Sequence, residues 1–237
     1  MKNIGLIPAR AGSKRLPRKN LKIFAGKPLI EWTFIAASNS TLLDEIYLST
    51  DSLEIIEIAK SYNIIVPFVR PKNLSEDDTT ANEVVDHFLH SMSASPSLNP
   101  ILLVFLQPTS PLRISEDIDS AIHKIIQNRR ANSLFTYTEL PDFLNPKKIV
   151  CLDQSEFLDR KLQEATTKKI MDLKLRERVT IRNGAAVYAT KIEDRFRGLI
   201  YGDTIGLNMP WIRSIDIDTQ EDFILAEAIF RLLNISS

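Results

Sequence analysis

A single cysteine, Cys151, stands among 237 residues, so no disulfide can close within the chain, and the count fits a reducing compartment. Charge of one sign is not in excess either: 30 Lys and Arg face 30 Asp and Glu. A protein that coats nucleic acid with a basic surface is therefore not expected. No apolar run approaches the roughly 18 residues of a membrane span. The amino terminus enters a strand-like run at once, without the apolar stretch of a signal peptide, so a cytoplasmic protein is expected. The three histidines, His87, His90 and His123, fall in helix-period segments and suggest neither a metal cluster nor a catalytic triad. Cys151 has no base partner in sequence and reads as a small buried hydrophobe. Internal repeats and low-complexity tracts are also missing. What is present, 44% hydrophobic and 25% charged, suffices for a sizeable core.

Apolar runs of strand length alternate with helix-period segments. Residues 3–8, 45–50, 64–69, 101–107, 133–138 and 185–190 read as strands, and several are apolar throughout, as in a parallel sheet covered on both faces. A helix is expected over 28–38. Another, over 80–92, places Ala81, Val84, Val85, Phe88, Leu89 and Met92 on one face and opens with a capping box, Thr80-x-x-Glu83. Residues 116–127 align Ile118, Ala121, Ile122, Ile125 and Ile126 behind Ser115 as N-cap. A last helix follows Asp218, with Phe223, Ala226 and Phe230 inward. This alternation predicts a three-layer α/β domain with a mostly parallel sheet. Residues 139–182 break the rhythm and read as an excursion, from which "GAAVYAT" returns.

Ligands of open α/β sheets bind beyond the carboxyl ends of the strands. The loop after the first strand, "PARAGSKRLPRKN", lies at such an end and crowds Arg10, Lys14, Arg15, Arg18 and Lys19 into a chain of no net charge. Gly12, between the small Ala11 and Ser13, lets backbone amides approach an anion, and Arg10 and Lys19 flank them. The loop is neither a Walker A nor a dinucleotide-binding turn. A solvated basic loop is the plain alternative, but pinning between a buried strand and a helix favours a triphosphate-binding loop. "LQPTSPLR" (106–113) offers Gln107, Thr109 and Ser110 between stiffening prolines. Asp51 with Glu54 makes a D-x-x-E helix start, a structural role. In "SIDIDTQEDF", Asp216 and Asp218 alternate on an extended segment, so both carboxylates face one side and suit Mg²⁺ beside a polyphosphate. Asp218 is alternatively the N-cap of the last helix, a task Thr219-x-x-Asp222 fills equally well.

"IPARAGSKRLPRKN", "STDS", "VRPKNLSEDDTT", "LLVFLQPTSPLR", "RNGAAVY" and "SIDIDTQEDF" occur in the order seen in the acylneuraminate cytidylyltransferases, which the chain resembles over most of its length. The resemblance implies a nucleotidyltransferase-type (Rossmann-like) α/β/α fold, one domain over 1–237, transfer of CMP from CTP to a nine-carbon nonulosonic acid, Mg²⁺, and a homodimer. Carried over by position, Arg10, Gly12, Ser13, Lys19 and Asn20 resemble the CTP-binding loop and Arg70 another nucleotide contact. Gln107 resembles the residue that meets the sugar, Arg182 and Asn183 its partners, and Asp216 and Asp218 the metal carboxylates. Catalysis would then fall to Arg10, Lys19, Asp216 and Asp218. The excursion, 139–182, corresponds to a dimerisation subdomain, with spaced apolar residues from Phe143 to Leu175 and the cations Lys161, Lys168 and Arg176.

Departures from the pattern bear on the acceptor. Arg15 stands where sialic acid members often carry Gly, and "KRLPRKN" leans toward enzymes of pseudaminic or legionaminic acid. "LQPTSPLR" is of the sialic and legionaminic kind. The Leu-Pro common before "RNGA" is missing. CMP-Kdo synthetases share "IPAR" but usually continue with Lys-Pro where this chain has Lys19-Asn20. A CMP-Kdo synthetase is the alternative within the class. A non-catalytic nucleotide-binding module is the alternative outside it, opposed by Lys19 together with both aspartates.

Overall fold

The computed structural model describes residues 1–92, 100–141, 144, 148, 150–151, 154–156, 159–172 and 180–233. Its frame is a seven-stranded sheet. Strands β1 (Lys2–Ala9), β4 (Glu45–Thr50), β5 (Ile101–Phe105), β6 (Ser133–Glu139) and β9 (Thr204–Asn208) run parallel, while β7 (Thr180–Arg182) and β8 (Tyr188–Ile192) run against them. The order is β4-β1-β5-β8-β6-β7, with β9 also on β6. A short hairpin, β2 (Ile23–Phe24) with β3 (Lys27–Pro28), stands apart.

β5, apolar along its whole length, is buried at every residue because layers cover both sheet faces. Its alternation divides the core. Leu102, Val104 and Leu106 pack with Ile7, Leu48 and Leu134 against helices α1 (Leu29–Ser38), α2 (Leu53–Lys60) and α4 (Ser115–Gln127). Ile101, Leu103 and Phe105 pack with Ile4, Leu6 and Tyr47 against α3 (Ala81–Ser91). The expected three-layer α/β fold is therefore present.

A third cluster joins the two ends of the chain. Phe24 of the hairpin meets Phe223 and Phe230 of α6 (Gln220–Leu232) edge to face, at 5.4 and 5.5 Å between ring centres. Trp32 of α1 donates its indole N–H to the Phe24 carbonyl at 2.8 Å. Leu16, Leu112 and Ile217 complete the cluster, which sets α6, and the strand-like segment before it, against the loop after β1.

Several expectations are corrected. Residues 64–69 contribute only isolated bridges, Ile65 to Tyr47 and Val69 to Thr50, because Pro67 interrupts the donor ladder. The strand expected at 185–190 begins at Tyr188. α4 is capped not by Ser115 but by Asp117, whose carboxylate accepts from the Ile114 N–H at 3.1 Å. Ile126 falls off the apolar stripe of α4 and is exposed. Asp51 does not start α2: Ser52 accepts from the Ile55 N–H, and Glu54 pairs with Arg18. Cys151 is half-buried, with its thiol 3.6 Å from the Thr166 hydroxyl. The excursion includes a helix, α5 (Arg160–Asp172), and β7. Phe143, Ile149, Phe157, Leu158, Leu173, Leu175 and Arg176 lie outside the described residues. Among the described residues no helix is long and apolar enough to cross a membrane.

The capping box of α3 is present, and α6 has its own: Thr219 accepts from the Asp222 N–H at 3.3 Å while Asp222 accepts from the Thr219 N–H at 2.8 Å. Asp218 is thus released from the helix-cap role. Thr219→Ala is expected to cost ~1 kcal/mol, about 2–4 °C in melting temperature, while Asp218→Asn leaves the melting temperature nearly unchanged. Thermal melts in metal-free buffer check this; equal losses would return Asp218 to the cap.

Candidate functional site

β4 lies on one side of β1 and β5 on the other, so the loops after β1 and β5 part at their carboxyl ends. This topological switch point is where open α/β sheets bind ligands. A cavity of about 520 Å³ opens there. It gathers Arg10, Gly12, Ser13, Lys19, Asn20, Arg70, Gln107, Asp216 and Asp218 from segments far apart in sequence.

The loop after β1 is braced from behind. Ala11 donates its N–H to Asp51 at 2.8 Å, and the Asn20 side chain donates to the Arg10 carbonyl at 2.9 Å. Asp51 is structural after all, but as a brace for this loop. Arg18, in a left-handed conformation at φ 53°, turns away to Glu54. The other four cations line the cavity. Arg10 and Lys14 share Asp77, each at 2.7 Å, and Arg15 reaches Asp218 at 3.1 Å. Lys14 holds Asp77 below the usual carboxylate range by hydrogen bond and charge, and the pairing raises the lysine in turn. Asp77 lies in "SEDDTT", where the sequence signals only loop and helix cap. A Cβ built on Gly12 would meet no protein atom within 4 Å, so the missing side chain leaves room for a ligand rather than for the fold.

Lys19 is the deepest cation of the loop, its side chain 12% exposed. Its ammonium donates to the Ile217 carbonyl and lies 3.4 Å from Asp218, leaving a third donor for the cavity. Arg70 is buried, and desolvation pulls its pKa down, with Asp51 opposing. Its Nε donates to Ser75 at 3.2 Å.

Asp216 and Asp218 flank the fully buried Ile217, as the alternation of an extended segment requires. Asp216 Oδ1 is buried and accepts no hydrogen bond within the protein. Burial pushes the Asp216 pKa up, Thr109 opposes this, and the Asp218 charge adds to it. A buried oxygen without a donor, beside a second carboxylate, fits a hard cation that completes its shell from a bound phosphate. Among the described residues no group of three or more His, Cys, Asp or Glu side chains could hold a metal unaided.

Arg182 and Asn183 do not line this cavity. The Asn183 amide is turned into the protein, donating to Ser214 at 3.0 Å and lying 3.3 Å from the Met209 sulfur. Arg182 bonds the Tyr188 phenol and borders a separate depression with Phe135, Tyr137 and Ile181. Gly184 is the member of "RNG" closest to the site. At φ +64°, it occupies a conformation L side chains rarely adopt, and an added Cβ would lie 2.6 Å from Asp216 Oδ2. "RNG" therefore seats the aspartate, a relation no spacing in the sequence displays.

The family model for cytidylyltransferases matches residues 4–193. The chain belongs to this family. A pseudaminic acid cytidylyltransferase of Campylobacter jejuni is 42% identical over 139 residues, 59% of each chain. An N-acylneuraminate cytidylyltransferase of Streptococcus agalactiae is 31% identical over 227 residues, 94% of this chain and 52% of that protein. The chain thus spans little more than half the length of these relatives. A structure of CMP:2-keto-3-deoxy-manno-octonic acid synthetase complexed with CTP superposes with a TM-score of 0.65 over 98% of this chain and all of that one, at 15% identity. This last likeness shows the cytidylyltransferase fold alone.

Asp216, with its pKa raised, contributes stability in its protonated form, and that contribution is lost as pH rises through the folded-state value. Ionised Asp216 is therefore a burden at neutral pH in the absence of a cation. Asp216→Asn is expected to raise the melting temperature at pH 7.5 in metal-free buffer, with the gain shrinking as pH falls through the raised folded-state value and gone below the ordinary Asp value of about 3.9. A melting temperature lowered at pH 7.5 would show that the carboxylate is satisfied within the fold.

Proposed function

We propose that this chain transfers CMP from CTP to the anomeric hydroxyl of a nonulosonic acid and releases pyrophosphate. The observation that carries the reading is the meeting of Lys19 with Asp216 and Asp218 at the mouth of the cation-rich loop, in a cavity of about 520 Å³, large enough for a nucleotide. Family membership and relatives named for pseudaminic and N-acylneuraminic acid support it.

In this reading the amides around Gly12 and Ser13, with Arg10, Lys14 and Lys19, receive the triphosphate. Asn20 shapes the loop and Arg70 lies on the nucleotide side. The acid's anomeric hydroxyl attacks the α-phosphorus from the side of Gln107, its proton passes to solvent as the new P–O bond forms, and the bond to the β-phosphate breaks to release pyrophosphate. Lys19 and Arg10 offset charge that grows on the leaving group; the protein supplies position and field and forms no covalent intermediate. Asp216 and Asp218 are suited to hold Mg²⁺, which when bound would neutralise phosphate charge. A Kdo acceptor is less favoured, because the relatives of higher identity are named for nine-carbon acids and Lys19-Asn20 departs from the Kdo pattern. The non-catalytic reading fares worse, since a binding module has no use for a buried carboxylate left without a donor.

The reading extends to a homodimer paired through 139–182. Leu144, Val150, Leu162 and Ile181 of that segment are 54, 64, 51 and 45% exposed, apolar surface suited to a second copy.

With Mg²⁺ and CTP, the protein is expected to release pyrophosphate only when a nonulosonic acid is supplied; a panel of N-acetylneuraminic, legionaminic and pseudaminic acids and Kdo identifies which. Equal use of ATP or GTP, or preference for Kdo, would overturn the reading. Lys19→Ala is expected to cut turnover on the order of 10²-fold with the fold intact by circular dichroism. Near-normal turnover would remove Lys19 from the chemistry.

A further inference from the structure

One buried charge, Arg113, stands behind the cavity and not in its lining. Arg113 ends the loop after β5 and is 2% exposed. Its Nη1 donates to the carbonyls of Gln107 and Ala186, at 3.0 and 2.8 Å, and its Nη2 to the Thr33 hydroxyl of α1 at 2.7 Å. Among the described residues it forms no direct ion pair. The nearest charge bearing on it, Asp117, is already bonded to Arg213 at 2.7 Å. Arg113 Nε has no partner at all.

A buried guanidinium without a carboxylate is an expensive packing piece, and an apolar side chain of similar length would fill the space at lower cost. What it alone provides is a rigid fork that grips three segments together. The Gln107 backbone is held on both sides of its Cα: its carbonyl accepts from Arg113, and its N–H donates to the Ala185 carbonyl at 3.1 Å. Ala185 and Ala186 leave directly from Gly184, which seats Asp216. The nucleotide loop after β1 has no hydrogen bond to Arg113, so the clamp's direct grip is on the Gln107 side of the cavity.

We propose that Arg113 is a positioning residue for the acceptor: it fixes the Gln107 peptide, and so the side chain that meets the sugar acid, without touching either substrate. The inference rests on the assignment of Gln107 to the acceptor side made above.

Arg113→Lys keeps the charge but brings one nitrogen to three acceptors. In the full chain it is expected to raise KM for whichever nonulosonic acid the wild type uses on the order of tenfold. The Kd of CTP in metal-free buffer stays within about twofold, below the effect of losing one hydrogen bond. Hydrogen exchange at the Gln107 amide becomes faster. If the acid and CTP constants move together, or only the melting temperature falls, the proposal is overturned. Should Arg113→Lys not fold, Thr33→Val removes a single acceptor, and a selective rise of about threefold in the acid KM is expected there; an unchanged value overturns the proposal. A wild-type protein that turns over no nonulosonic acid defeats the functional reading instead. In that case unchanged exchange at Gln107 in the variant still defeats the clamp.

Discussion

The site depends on one residue's backbone. Ile217 donates its N–H to the Thr109 carbonyl at 2.8 Å and accepts from the Lys19 ammonium, while its side chain is wholly buried. Three loops, from residues near 19, 109 and 217, are therefore tied through the backbone of a single residue. Because the side chain must point into the core, both neighbours must point out, and they are Asp216 and Asp218. The aromatic cluster of Phe24, Phe223 and Phe230 then fixes α6, so the carboxylates arrive from the end of the chain at the loop where its beginning turns. Apolar packing, not charge, does the assembling.

Charge is what the assembled site then offers. Arg10, Lys14, Arg15 and Lys19 face the cavity against Asp77 and Asp218 as their paired carboxylates. These contacts lie near the surface, where an ion pair contributes about 0–1 kcal/mol. Lys14 is 84% exposed and Arg15 72%, so neither is committed. A triphosphate brings more charge than one aspartate and can take over the Arg10 and Lys14 contacts. The neutral whole chain and the basic local loop are compatible for this reason: the balancing acids are spread elsewhere, and the field is set by the residues within a Debye length.

Much of this was legible in sequence where one residue type admits one conformation. β5 is apolar at every position and is buried at every position; Thr80-x-x-Glu83 and Thr219-x-x-Asp222 are capping boxes in sequence and in space. The alternation of Asp216, Ile217 and Asp218 gave the facing of the carboxylates. Legibility ended where a role depends on a distant partner. Asp51 reads as a helix start, yet it serves Ala11, forty residues away, while Ser52 takes the cap. Residues 64–69 have strand composition, but Pro67 cannot donate to a ladder. β9 carries a glycine under the Tyr137 ring, where a Cβ would lie 2.7 Å away, and its pattern is correspondingly weak. Asn183 is a ligand contact only by resemblance; the fold turns it inward onto Ser214 and leaves Gly184 to face the aspartate.

Arg113 and Asp216 show the same economy with opposite sign. Burial pulls the pKa of Arg113 down to about 10, and burial pushes that of Asp216 up. In both, the charged form is the one the surroundings disfavour, and in both a polar atom is left without a partner. A core selected for stability alone would carry neither, since each unpaired buried group costs about 1–3 kcal/mol. The two sit at opposite ends of one short connection, from Arg113 through the loop to the Thr109 carbonyl that holds Ile217. Strain of this kind persists only where the surrounding structure over-determines it, here the β5 core on one side and the aromatic cluster on the other. The stable sheet supports a site whose charges the fold on its own would reject.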